Sequence, residues 1–255
     1  MLSICWRAKP DRTVQAEEIQ RLAPEALATY LDQSMDMSTP APLDIEGVGR
    51  VHVCGRPVHG RLLLAHGAGA GPDSGFMQAL FKALASRGVQ SLGIEFAYMT
   101  RARREGRRRP PPRVDALCDE LRVWRGVLPD STWLGGKSMG GRVASMVAAV
   151  DGAPGLALCG YPFHPPGRPE RLRLDHWPRL TCPTLVLQGT RDPFGQRAEV
   201  ESYALPASAR VCFLDDGEHD FKPRRASGRQ QGDLISEAAG LIRQAMAASA
   251  ASPNG

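Results

Sequence analysis

From Leu43 onward, short apolar runs alternate with stretches whose apolar residues recur every three or four positions. The runs at 61–65, 89–96, 133–134, 156–159, 184–188 and 211–214 have the length and composition of buried strands. Between them, Phe76, Leu80, Phe81 and Leu84 mark one amphipathic helix, which Gly88 closes, and Val114, Leu117, Leu121, Trp124 and Leu128 mark another. A small-residue run at 143–150 and a terminal set of Leu234, Ile235, Ala238, Leu241 and Ile242 predict two more helices. Residues 45–53, with Gly47 and Gly49, predict a β-hairpin. Strands that alternate with helices imply an α/β fold, with a mostly parallel central sheet and helices on both faces. No repeat at a fixed period is present.

Upstream of Leu43 the pattern differs. Ile19, Leu22, Ala23, Ala26, Leu27 and Tyr30 recur at helical spacing, and Pro24 must either break that segment or start a second helix. Ser38-Thr39-Pro40-Ala41-Pro42 reads as a linker. The expected organisation is an N-terminal extension over 1–42, partly helical or disordered, and one domain over 43–250.

Composition narrows the setting. The six cysteines form no C-x-x-C pair and several sit inside apolar runs, which predicts reduced, buried thiols and neither a disulfide framework nor a metal site. Residues 1–10 lack the apolar core of a secretory signal, and no apolar stretch reaches membrane-spanning length. A soluble cytoplasmic protein with no membrane partner and no cofactor is expected. The net charge of +5 is concentrated in seven arginines between 101 and 113, a segment that also holds Pro110-Pro111-Pro112. It reads as a solvated loop, with an anion-binding rim for substrate as the alternative. No aromatic residue interleaves those arginines, so a nucleic-acid partner is not expected.

The candidate chemistry falls at the carboxyl ends of the strands, where ligands bind in such sheets. Gly136-Lys137-Ser138-Met139-Gly140 fits G-x-S-x-G, a turn that presents a nucleophilic serine between a strand and a helix. Two nucleotide-binding look-alikes fail. Gly136-Lys137-Ser138 resembles the end of a phosphate-binding P-loop, but Ser131 stands where that motif needs glycine. Gly67-Ala68-Gly69-Ala70-Gly71 follows a strand as a dinucleotide fingerprint does, but the third glycine position holds Pro72.

A serine hydroxyl needs an imidazole base, and the imidazole needs a carboxylate to fix its tautomer. Asp192 follows a later strand and His219 the last one, in the order Ser, Asp, His. Asp215, Asp216, Glu218 and Asp220 crowd His219 as alternative acids, but sequence neighbours rarely face one imidazole, and Asp192 is preferred. Two amides must hold the developing oxyanion. Met139, after the nucleophile, supplies one, and Ala68 in the loop after the 61–65 strand supplies the other. His66 is expected to order that loop, and His164 to form wall or surface.

At these residues the chain resembles the α/β-hydrolase superfamily. It is similar in particular to the small-hydrolase family, dienelactone-hydrolase-like, that includes a testis-expressed protein and a subunit of the nonspecific-lethal chromatin complex. His66-Gly67-Ala68-Gly69-Ala70, the segment at 95–99, the stretch at 135–142, YPFHPPGRPE (161–170), QGTRDPFG (188–195) and GEHDFKPRRASG (217–228) carry the resemblance. Ala97 departs from it, standing where proline is expected, and should change only loop stiffness. The resemblance implies an α/β-hydrolase fold with Ser138, Asp192 and His219 as its triad. The short stretch between Gly160 and Pro183 leaves no room for a large lid. The resulting expectation is a serine hydrolase that cleaves a small ester or thioester through an acyl-enzyme, with an anionic substrate left open. A non-catalytic module of the same fold, binding a protein partner, is the alternative.

Overall fold

Leu62, Leu63, Leu64 and Ala65 are all fully buried, although their side chains point alternately to opposite faces, so this strand is covered on both sides. In the computed structural model, which describes residues 19–33 and 38–251, that strand lies at the centre of a nine-stranded sheet. The strands are β1 (Gln20–Leu22), β2 (Ala41–Ile45), β3 (Gly49–Cys54), β4 (Arg61–Ala65), β5 (Gln90–Glu95), β6 (Trp133–Lys137), β7 (Leu156–Cys159), β8 (Thr184–Gly189) and β9 (Ala209–Leu214). Their order is β1-β2-β3-β5-β4-β6-β7-β8-β9. The β2–β3 and β3–β5 pairs are antiparallel and every other pair is parallel.

Helices cover both faces. On one side α4 (Val114–Gly126) and α5 (Met139–Asp151) bury Leu117, Leu121, Trp124, Val143 and Val147 against Leu63, Leu92, Leu134 and Leu158. On the other, α2 (Gly75–Ala85) and α7 (Gln231–Ala251) bury Leu80, Phe81, Leu234 and Ile242 against Leu62, Leu64, Leu185 and Leu187. Each strand and helix expected after Leu43 is present. Between β7 and β8 the chain forms only a short 3-10 turn at Trp177–Arg179, so no helical lid covers the sheet there.

The N-terminal segment departs from its helical spacing. Gln20–Leu22 is a strand, paired in parallel with β2, and α1 (Pro24–Gln33) begins at the proline. Proline suits a first helical position because its missing N–H has no partner to lose there. Leu27 and Leu31 are fully buried in the same core as Ile45, Val53 and Leu92. The linker reading of 38–42 is corrected at its end, since β2 starts at Ala41. Pro42 fits that strand because the ladder with β1 begins only at Leu43. The leader reading of 1–10, the rest of the extension up to residue 18, and Cys5 lie outside the described residues.

Two further expectations are refined. The arginine segment is not wholly a loop. Arg101, Arg103 and Arg104 lie on α3 (Ala97–Glu105), which stops at Gly106 with φ +64°. Ala97 does more than soften a loop, because its N–H donates to Glu120 Oε2 at 2.8 Å, a bond proline would forfeit. Cys118, Cys159 and Cys182 are buried free thiols, Cys54 is buried as well, and burial pushes Cys159 up to about 12. Among the described residues no group of His, Cys, Asp and Glu could hold a metal ion, and no helix is long and apolar enough to cross a membrane.

The burial of α1 makes a direct prediction. Leu31→Ala should destabilise the protein by about 2–5 kcal/mol, read as a lowered urea midpoint with an unchanged slope. Leu172→Ala, at an exposed position, should stay within roughly 0.5 kcal/mol of the parent. Equal midpoints for the two variants would show that α1 does not belong to the cooperative core.

Candidate active site

The site is built on the turn from β6 into α5. Ser138 has φ +52° and ψ −116°, a region non-glycine residues rarely occupy. Strain of this kind costs of order 1–3 kcal/mol and persists only where the surroundings enforce it. Here they do. A Cβ on Gly140 would lie 2.1 Å from the Ala65 carbonyl oxygen, and one on Gly136 2.5 Å from the same atom. The first turn of α5 therefore rests directly on the end of β4. The Ser138 N–H donates to the Cys159 carbonyl at 2.9 Å, tying the turn to β7.

Two later loops converge on this serine. Asp192, past β8, is fully buried, and its Oδ1 accepts the Phe194 N–H at 2.9 Å. His219, past β9, places Nδ1 2.8 Å from Asp192 Oδ2 and 3.0 Å from Oδ1. Its Nε2 lies 2.9 Å from Ser138 Oγ. Since a buried carboxylate only accepts, Nδ1 carries the proton and Nε2 is left as the acceptor for the serine hydroxyl. Phe194 covers the imidazole, with ring centroids 4.3 Å apart. The structure thus brings together the serine, acid and histidine expected from the sequence.

The rival acids are spent elsewhere. Asp216 accepts from the Arg224 backbone and side chain, Glu218 Oε1 accepts the Asp220 N–H, and Asp220 pairs with Lys137 at 3.2 Å. The Ala68 and Met139 amides have no acceptor among the described residues, so both remain free to donate. The Met139 side chain packs on the core. His66 orders the Ala68 loop as expected: Nδ1–H donates to the Gly67 carbonyl at 2.7 Å, while Nε2 accepts the Phe96 N–H at 3.2 Å. Tyr98 OH donates to the Ala68 carbonyl at 2.9 Å, and burial pushes its pKa up to about 12, which keeps that proton in place. His164 is buried but does not line the Ser138 cavity.

That cavity has a volume of about 460 Å³ and is walled by Ala68, Gly69, Phe76, Met77, Lys137 and His219, among others. Lys137 is the residue that sequence reading passed over. Its ammonium is nearly buried, 5.4 Å from the centre of the Phe76 ring. Its position inside G-x-S-x-G was visible, but its seat at the end of β6, beside Phe76 at the wall of the cavity, was not.

Residues 58–247 match the model of the family described as alpha/beta hydrolase domain. The dienelactone hydrolase from Anabaena variabilis is 19% identical with a TM-score of 0.59, covering 80% of this chain and 94% of its own. XC6422 from Xanthomonas campestris, described as an a/b serine hydrolase without lid, is 20% identical with a TM-score of 0.55, covering 81% and 94%. The thioesterase domain of the curacin biosynthetic pathway is 16% identical with a TM-score of 0.53, covering 81% and 98%. At these identities the structural matches speak for the fold.

Two predictions follow from the packing of α5. Gly140→Ala forces a methyl into backbone and should cost about 1–3 kcal/mol or more, lowering Tm by several degrees, whereas the exposed Gly232→Ala, with open space at its Cβ position, should not. His176 underlies the same helix, with Nε2 2.7 Å from Ser145 Oγ, and burial lowers its pKa from 6.5 to about 4. Folding keeps it neutral while the unfolded chain takes up its proton. Its contribution is complete above pH 6.5 and is lost as the pH falls from 6.5 towards 4. Tm should therefore drop less between pH 7.5 and 5 in His176→Gln than in the parent; parallel pH profiles would contradict this.

Proposed function

The chain belongs to the alpha/beta hydrolase domain family, and on that premise we propose that it is a serine hydrolase cleaving a small carboxylic ester or thioester. The observation that carries this reading is the continuous hydrogen-bonded line from Asp192 through His219 to Ser138, with links of 2.8 and 2.9 Å. The family match, the fold shared with a thioesterase domain, and the resemblance of QGTRDPFG and GEHDFKPRRASG to the small-hydrolase group support the same reading.

In this mechanism Ser138 Oγ attacks the substrate carbonyl carbon while its proton passes to His219 Nε2. Asp192 holds Nδ1–H and stabilises the imidazolium that forms. The amides of Ala68 and Met139 donate to the oxyanion, the second helped by its place at the start of α5. The bond to the leaving oxygen or sulfur breaks as His219 returns the proton to it. Water then attacks the acyl-enzyme by the same route, releasing the acid and restoring Ser138. The cavity beside Phe76 and Met77 suits a short or aromatic acyl group better than a long chain.

Fluorophosphonate labelling tests the nucleophile. The folded protein should become covalently modified at Ser138, with no modification in Ser138→Ala or His219→Ala. Asp192→Asn should retain labelling but slow it by roughly 10²–10⁴-fold, since the wrong imidazole tautomer is then favoured. A folded parent protein that resists the reagent across pH 6–9 would instead indicate a non-catalytic member of the fold.

A further inference from the structure

The arginine-rich segment has no part in the chemistry above, yet it adjoins it. Seven arginines and one acid, Glu105, lie between 101 and 113. A second cavity, of about 330 Å³, opens between this segment and the loop that follows β4. Arg103, Arg107, Arg108 and Arg109 line it, together with Ala68 and Gly69. Ala68 and Gly69 also line the Ser138 cavity. The two cavities therefore meet at the loop whose amide is assigned to the oxyanion.

The four arginines are not equivalent. Arg103 is anchored, with Nη1 2.9 Å from Asp73 Oδ2 and Nη2 3.0 Å from the buried Glu95 Oε2. Arg107 and Arg109 share the single carboxylate oxygen Glu105 Oε2. Arg108 has no ion-pair or hydrogen-bond partner among the described residues. One carboxylate set against three guanidinium groups leaves the rim with an excess of positive charge. Gly106, at φ +64°, turns the chain out of α3, and Pro110-Pro111-Pro112 restrict the far end. The three arginines thus sit on a short arch pinned at both ends, which limits the entropy a ligand must remove.

We propose that Arg107, Arg108 and Arg109 form an anion subsite of the Ser138 site, so that the preferred substrate is an ester or thioester bearing a carboxylate or phosphate group. This deepens the serine-hydrolase reading and rests on it. The reacting carbonyl sits at Ser138 while the charged group reaches past Ala68 and Gly69 into the arginine-lined cavity. Guanidinium forks match the paired oxygens of carboxylates and phosphates, and the exposed rim makes the attraction sensitive to salt.

The test measures kcat/KM for matched pairs. 4-Nitrophenyl butyrate is compared with mono-4-nitrophenyl glutarate, which places the charge on the acyl side. The butyryl thioester of a neutral thiol is compared with that of a phosphorylated thiol, which places it on the leaving side. The parent protein should prefer the charged member of at least one pair. Arg107→Gln/Arg108→Gln should reduce that preference about tenfold, and high salt should reduce it too. Arg113→Gln/Arg225→Gln, which removes equal charge outside this cavity, should leave it intact. Equal rates within both pairs, or a preference that survives the first double substitution, would overturn the subsite while leaving the hydrolase reading in place. Hydrolysis of none of the four, together with no fluorophosphonate labelling at Ser138, would remove both.

Discussion

The approach of α5 to β4 is the constraint on which the upper edge of the sheet depends. With Gly140 seated on the Ala65 carbonyl, the chain leaving β6 must turn within one residue, and that residue is Ser138 at positive φ. A looser crossing would relieve the backbone and lower the hydroxyl into the turn. The strain is held by the burial of Val143, Ala144 and Val147 beneath the same helix. Packing in the core in this way holds one hydroxyl at the wall of the cavity.

The same economy of space fixes the other two loops. Gln188, buried at the end of β8, accepts the Tyr161 N–H and donates to the Tyr161 and Gly195 carbonyls, joining the β7 loop to the turn that carries Asp192. Gly160, at φ +57°, has room for no side chain: a Cβ there would lie 2.9 Å from the His219 carbonyl oxygen and 3.4 Å from Asp192 Oδ2. Three loops that are distant in sequence are therefore held together by one buried amide side chain and by a glycine that lets backbone approach closely.

What could be read from the sequence followed from how local its cause is. The strands at 61–65 and 156–159 and the helix on Leu80, Phe81 and Leu84 are written in their own periodicity, and the structure shows each of them. The order of Ser138, Asp192 and His219 was legible because each follows a strand end. The β1 strand was not, since three residues carry no period, and only pairing with β2 makes Gln20–Leu22 extended. The helix under Arg101, Arg103 and Arg104 was hidden for another reason. Its only buried side chain is Tyr98, so no apolar stripe announced it. Phe194 acquires its position from a turn and Lys137 from the pairing of the end of β6 with β7, both of which depend on contacts made far away in the chain.

Electrostatics around the imidazole follow from which acids are already committed. Asp192 is buried, and among the described residues only the Phe194 amide and His219 donate to it. His219 Nδ1–H faces Asp192 Oδ2 at 2.8 Å inside the fold, where a hydrogen bond to a carboxylate is weakly screened. Lys137 brings a cation to the wall of the same cavity. Asp220, the residue next to His219, turns its carboxylate onto that ammonium at 3.2 Å. The acid beside the histidine in sequence thus offsets a neighbouring cation, while the acid distant in sequence faces the ring. Adjacent residues on a tight loop diverge, and convergence on one imidazole requires a second strand end to supply the partner.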